Sequence, residues 1–190
     1  MAGKEIAVTI AIVGMGTFAG KLFAAGTSSS PGIDEGINQA LAIGKKYGIP
    51  EERIRLVYPL VKRAAYDFDL DLALMMAVIH KESTFNPEAT NPSDPSYGLA
   101  GIQAFWIDGR LGIRGTEQDL LRAEFSVTAL ANILLYYLGR HSMMKPRRVF
   151  KLPAEIDVHQ RGETQFLKGN RNLPYRDAVA GFYRDWSLVR

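Results

Sequence analysis

A chain of 190 residues suggests one domain of ordinary size with appendages. Hydrophobic residues make up 47% and charged residues 23%, so a packed core is expected and wholesale disorder is not. The absence of cysteine excludes disulfides, thiolate nucleophiles and cysteine-ligated metals, without fixing the compartment. His80, His141 and His159 lie far apart without metal-ligand spacing, so a metalloenzyme is not expected. The formal charge of +3 is unevenly placed: from Arg140 to Arg190 eleven Lys/Arg face five Asp/Glu, and eleven less five leaves an excess of six. Such an excess favours an anionic partner, either cell-wall polymer, lipid headgroups or nucleic acid, or else is a solvated basic face. No nucleic-acid-binding motif accompanies it, so a nucleic-acid partner is not expected.

The chain opens with an uncharged run, Ile6 to Gly20, and apolar character continues past Lys21 to Gly26. With Lys21 snorkelling, Ile6 to Ala25 reaches the ~20 residues that a bilayer span needs. A cleaved signal peptide and a buried helix against partner subunits compete with that reading; an uncleaved membrane- or assembly-associating helix is the expectation. Gly26 to Gly36, rich in Gly, Ser and Pro, reads as a linker. Ile37 to Tyr47 is a short helix stopped by Gly48. Pro59 suits the first turn of the next helix, along which Leu60, Val61, Ala64, Ala65 and Phe68 recur at helical spacing.

Asp69 or Asp71 then caps a helix through LALMMAVIHKES, apolar almost all round and therefore central. Asn86-Pro87 and TNPSDPSYG make an irregular loop. A helix spans about Ser126 to Leu138, a basic loop holds Pro146 and Pro153, and helices follow near Glu155 to His159 and Tyr175 to Arg184. There is no convincing strand alternation and no repeat. The fold class is mostly α.

Glu82 stands out because it closes a buried apolar helix, where an ionised glutamate is rarely tolerated without a reason. Desolvation by Met75, Met76, Val78 and Ile79, together with the negative end of the helix dipole, should raise its pKa. A carboxyl kept protonated near neutral pH can donate to a glycosidic oxygen. The plainer reading of the same position is a terminal glutamate that reaches solvent or pairs with Lys81 or His80.

Glu82-Ser83-Thr84-Phe85-Asn86-Pro87-Glu88-Ala89, followed by Ser96-Tyr97-Gly98-Leu99 and Gln103, resembles the lytic transglycosylase family with the soluble-type (SLT), goose-lysozyme-like catalytic domain. That family carries Glu-Ser-x-Phe-x-Pro-x-Ala from the end of a helix, then Ser-x-Gly-Leu-Met-Gln. Ala123 to Leu138 is similar to its helix with Asn-Ile and Tyr-Leu, and Val158 to Gly162 stands where it commonly has Ala-Tyr-Asn-x-Gly. The resemblance covers about residues 56 to 168. It departs in the extra residues before Gln103 and in His159, which replaces a tyrosine that lies near the catalytic glutamate in relatives.

The resemblance implies a lysozyme-like helical domain over 56–168, between an apolar helix (1–26) with a linker and short helix (27–55), and a basic helical tail (169–190). It implies Glu82 as the single catalytic acid/base and Ser83, Ser96, Tyr97, Gln103 and His159 as substrate contacts, with no metal or cofactor. The substrate is then the glycan strand of peptidoglycan, cut with a 1,6-anhydromuramoyl product; most glycosidases instead use two carboxylates. The aromatic residues Tyr97, Phe105, Trp106, Tyr136 and Tyr137 either line a sugar groove or pack in the core. The apolar helix and basic tail suit a phage particle or an envelope machine, with membrane or assembly subunits as partners. A hydrolytic lysozyme and a structural virion or secretion-channel component with a vestigial catalytic domain stay open as alternatives.

Overall fold

A computed structural model describes residues 35–109, 111–139 and 172–189 of the chain. The expected N-terminal helix, the linker up to residue 34, the helix near Glu155 to His159, and His159 itself lie outside the described residues. The first described helix, α1 (Glu35–Lys46), buries Gly36, Ala40, Ile43 and Gly44, a one-sided stripe at helical spacing. Its first two residues lie within the expected linker. It ends where Gly48 takes φ 67°, as expected. Gly44 lets the next helix approach closely, since a Cβ there would lie 2.9 Å from Cγ1 of Ile54.

The second helix, α2 (Glu51–Phe68), corrects the expectation that Pro59 begins it. It starts eight residues sooner, after Pro50, with Glu51 and Glu52 favourably placed in its first turn. Pro59 sits inside the helix on its exposed side, where water can reach the carbonyl that proline leaves unbonded. The buried stripe Ile54, Val57, Tyr58, Val61, Ala64 and Ala65 runs straight past it, so packing outweighs the lost hydrogen bond.

Asp69 ends α2 in the left-handed conformation at φ 50°, and Leu70 N–H closes onto Ala65 O at 2.8 Å. Asp71, rather than Asp69, then caps α3 (Leu72–Ser83), accepting from Ala73 N at 2.8 Å and Leu74 N at 3.2 Å. Every residue from Ala73 to His80 is buried, so α3 is the central helix that its apolar composition predicts.

The loop after α3 is not wholly irregular: β1 (Thr90–Asn91) and β2 (Ser96–Tyr97) pair antiparallel, Thr90 opposite Tyr97 and Asn91 opposite Ser96. Two-residue strands are too short to show alternation in a sequence. A single-turn 3-10 helix (Ala104–Ile107) and α4 (Glu117–Leu120) follow, the latter closed by reciprocal bonds between Thr116 and Asp119. Next, α5 (Ala123–Tyr137) packs on α2. The last helix, α6 (Leu173–Trp186), begins with Asn172 accepting from Tyr175 N.

The described domain is therefore mostly α-helical, and α6 is no tail. It buries Tyr175, Val179 and Trp186 and packs more extensively on α3 than on any other element. Among the described residues no helix is long and apolar enough to cross a membrane.

The ends of α1, α3 and α6 meet around His80, which is only 5% exposed. Its ring stacks on Phe182 at 3.7 Å, meets Tyr47 edge-on at 4.6 Å, and accepts from Trp186 Nε1 at 3.3 Å through Nδ1. Tyr47 and Lys46 both donate to Asp185 beside it. Burial lowers the His80 pKa from 6.5 to about 4, against the weaker pull of the Asp185 charge. The folded protein thus binds a proton at His80 less readily than the unfolded chain. This stabilisation is complete above pH 6.5 and is lost progressively as pH falls from 6.5 towards 4. Urea midpoints measured across that interval should show an acid-sensitive component that disappears in His80→Phe; an unchanged pH dependence in that variant would refute the assignment.

Candidate active site

The end of α3 is forced into a tight turn. Thr84 (φ 51°) and Phe85 (φ 60°) are both left-handed without being glycine, a strained pair that surrounding packing must hold. Phe85 is fully buried against Trp186, ring centroids 5.3 Å apart, and this anchors the reversal. The Ser83 hydroxyl donates back to Ile79 O at 3.2 Å, so the helix itself engages it. Glu82, one residue earlier, points to the other side.

Two elements distant in sequence close over the Glu82 carboxyl. The Tyr175 hydroxyl, from the first turn of α6, donates to Oε1. Gly101 lies against Oε2: a Cβ on Gly101 would stand 2.6 Å from that oxygen, and its φ of 58° also favours glycine. Gly101 belongs to a turn clamped at its base by two hydrogen bonds of 3.0 Å between Tyr97 and Ile102. At the other end of that turn Gly98 (φ 74°) presses on the Leu120 carbonyl, which a Cβ would meet at 1.9 Å. The extra residues ahead of Gln103 therefore form a tight turn whose glycine rests on the carboxyl.

Burial raises the Glu82 pKa, and the nearby Asp94 charge raises it further; the Tyr175 hydrogen bond and the Lys81 charge act in the opposite direction. The expected rise is present, with burial as its main cause. Tyr175 is itself almost fully buried, which pushes its own pKa well up and keeps it a proton donor. Lys81 Nζ lies over the Tyr175 ring, 5.8 Å from its centre. His80, offered above as a plainer partner for Glu82, is instead bonded to Trp186.

The other candidate residues divide into two groups. Gln103 Nε2 donates to Asp94 Oδ1 at 2.7 Å, and Asp94 lies near enough for its charge to act on Glu82. Asp94, read from the sequence as a turn residue, does lie in the turn between β1 and β2, but its charge also acts on the carboxyl. Ser96 pairs with Asn91 in the short ladder, and the Tyr97 hydroxyl donates to Glu117 on the far side of the glycine turn. Of the five aromatic residues, Tyr137 is core, whereas Phe105 is exposed and touches Trp106, which in turn meets Tyr136.

The residue missed from the sequence is Tyr175. Its signal was present: Asn172 as a cap, Pro174 and then Tyr175 mark the first turn of a helix. Nothing local says that this turn would dock on Glu82, 93 positions away. Among the described residues no three His, Cys, Asp or Glu side chains are grouped so as to hold a metal ion.

Residues 59–143 match the family model of the transglycosylase SLT domain. The matched segment, a little under half of the chain, carries the SLT domain of the lytic transglycosylases. No curated protein matches it. The matched span carries α3, Glu82, the glycine turn, α4 and α5, and ends before α6. Members of this family are enzymes that act on peptidoglycan, and the SLT domain gives this chain a peptidoglycan-cleaving activity of the lytic transglycosylase type.

The opposing influences on Glu82 can be separated. Replacing Tyr175 by Phe removes a donor that favours the charged carboxylate and leaves the burial, so the Glu82 pKa should rise above its value in the unaltered protein. Carbon-detected NMR titration of the carboxyl reads this directly. A pKa that stays put or falls in Tyr175→Phe would show that the hydroxyl does not hold the charged form.

Proposed function

We propose that Glu82 is the single acid/base with which this transglycosylase cuts the β-1,4 bond between N-acetylmuramic acid and N-acetylglucosamine. The observation that carries the reading is a desolvated carboxyl, biased toward its protonated form, that still has one buried hydroxyl donor to support the charged form. Protonated Glu82 gives its proton to the glycosidic oxygen as the C1–O bond breaks. The muramoyl C6 hydroxyl bonds to C1, and its proton passes to the Glu82 carboxylate. The charge and the proton count are restored, and the product ends in a 1,6-anhydro ring. Tyr175 is the positioning residue for this carboxyl. Tyr97, on β2 before the glycine turn, and Gln103, just after it, are proposed to contact the glycan, with Ser96 beside them.

Asp94 favours a second reading. It is a carboxylate whose charge reaches Glu82, and a hydrolytic lysozyme needs such a group to activate water. Its bond to Gln103 holds one of its oxygens away from that task and supports the one-carboxyl mechanism. The apolar run Ile6 to Ala25 and the basic excess after residue 140 suit an enzyme carried by a phage particle or an envelope-spanning machine that opens the wall locally.

Two outcomes test the reading. Glu82→Gln keeps shape but cannot act as an acid, so muropeptide release from purified sacculi should fall by about 10² to 10⁴ with the circular dichroism spectrum preserved. Near-normal turnover in that variant would remove Glu82 from the chemistry, whereas no release by the unaltered protein would return the structural-component reading. Mass spectrometry of the products should find 1,6-anhydromuramoyl ends; only reducing muramic acid ends would place the chain among hydrolases and make Asp94 the second carboxylate.

A further inference from the structure

The extra residues ahead of Gln103 do more than lay Gly101 on Glu82. They deliver the Gln103 side chain to Asp94, whose Oδ1 accepts from Nε2 at 2.7 Å. Both ends of this bond are held by their own backbones. Asp94 sits in the turn between β1 and β2, flanked by Pro92 and Pro95. There the Asn91 side chain accepts from Ser93 N at 3.2 Å and from Ser93 Oγ at 3.0 Å. Gln103 is fixed by the Tyr97–Ile102 pair before it and by its own carbonyl, which accepts from Trp106 N at 3.1 Å. The bond therefore joins two prearranged loops. It lies on one flank of the Glu82 carboxyl: Tyr175 meets Oε1, whereas Gly101, two residues before Gln103, lies against Oε2. Consecutive Cα atoms are 3.8 Å apart, so the Gln103 side chain leaves the backbone no more than ~8 Å from Gly101.

We propose that Gln103 determines the product: by engaging Asp94 it stops that carboxylate from activating water and leaves the muramoyl C6 hydroxyl as nucleophile. Asp94 is exposed, so water is at hand, and the restraint has to act on the base. A carboxylate that deprotonates water must turn a free oxygen toward it, and a donated hydrogen bond both orients the group and weakens it as a base. The Gln103 amide does both. With the bond removed, Asp94 takes a proton from water as the water oxygen bonds to C1. The C1–O bond breaks and Glu82 protonates the leaving oxygen, as in the uninterrupted reaction. The result is a reducing muramic acid end, a charged Glu82 and a protonated Asp94, and the proton returns to Glu82 through solvent. Gln103 acts through Asp94 and is a positioning residue. One amide N–H is spent on this bond, and glutamine has a second N–H and an oxygen for the glycan contact proposed above. The inference rests on Glu82 as the cleaving group and adds what selects its nucleophile.

The test is product analysis with the full chain acting on purified sacculi in oxygen-labelled water, where hydrolysis labels the new reducing end and C6 attack labels nothing. Gln103→Met keeps the length of the side chain and removes the donor; Gln103→Glu sets a second carboxylate against Asp94. The ratio of reducing to anhydro ends should rise about tenfold or more in Gln103→Met, the loss of one hydrogen bond to a charged group. Adding Asp94→Asn should return the ratio to that of the unaltered chain, since the base is then gone. A purely structural role for Gln103 would lower turnover and leave the ratio where it was. An unchanged ratio in both Gln103 variants, or a gain that survives Asp94→Asn, overturns the proposal; so do reducing ends alone from the unaltered chain. Should Gln103→Met fail to fold, Gln103→Glu, of nearly native shape, decides the matter. Cleavage with a fixed ratio sinks this inference alone, whereas absence of cleavage by the unaltered chain sinks the reading of Glu82 and this inference with it.

Discussion

Everything at the site depends on taking one carboxyl out of water at the end of a helix that is itself buried. A carboxylate without compensation in such a place is costly, and a carboxyl settles the cost by staying protonated. Here the compensation is partial. Tyr175 supplies one hydrogen bond to the charged form, Lys81 a nearby charge, and burial pulls the other way. A group that must give a proton and then take one has to be tolerable in both states. The balance of one donor against desolvation meets that requirement better than a fully paired carboxylate or a fully dry one would.

That balance is set by elements remote from each other in sequence. Three hydrogen bonds tie α6 to α3: Tyr175 to Glu82, Tyr183 to Asp71, and Trp186 to His80. They engage the N-cap residue of α3 and two residues of its last turn, so both ends of the helix are referenced to α6. The glycine turn makes the second wall. Gly98 and Gly101 are required by contacts at 1.9 and 2.6 Å, one against backbone and one against the carboxyl, and no other residue type fits both the space and the φ. The same turn decides what Gln103 can do, since the residues ahead of it carry it to Asp94.

Much of this was legible from residue order. The run LALMMAVIHKES coincides with α3, while the choice of cap between Asp69 and Asp71 needed the structure, because either aspartate precedes the apolar block. Glu82 could be singled out because an acid at the end of such a block conflicts with its surroundings. Pro59 misled because proline's preference for a first turn is a weak prior, and the stripe Ile54, Val57, Tyr58 upstream overrode it. Tyr175 was assigned to a helix but not to the site: periodicity tells which face of a helix is apolar and says nothing about which helix it meets.

The two buried ionisable groups of α3 lie two residues apart and make opposite demands on pH. His80 must stay neutral to accept from Trp186 and stack on Phe182, and its pKa of about 4 sets an acid boundary below which that cluster must charge or open. Glu82 must be protonated to act as the proposed acid, and burial moves its pKa up from the usual carboxylate value, which sets the alkaline boundary. The interval between them is where the helix end is intact and the carboxyl is armed. Residues of α6 act on both boundaries, since Trp186 and Phe182 pack on the histidine and Tyr175 restrains the rise at the glutamate. A helix outside the segment matched to the SLT domain thus tunes both edges of the working range, and the functional unit extends beyond that segment to include it.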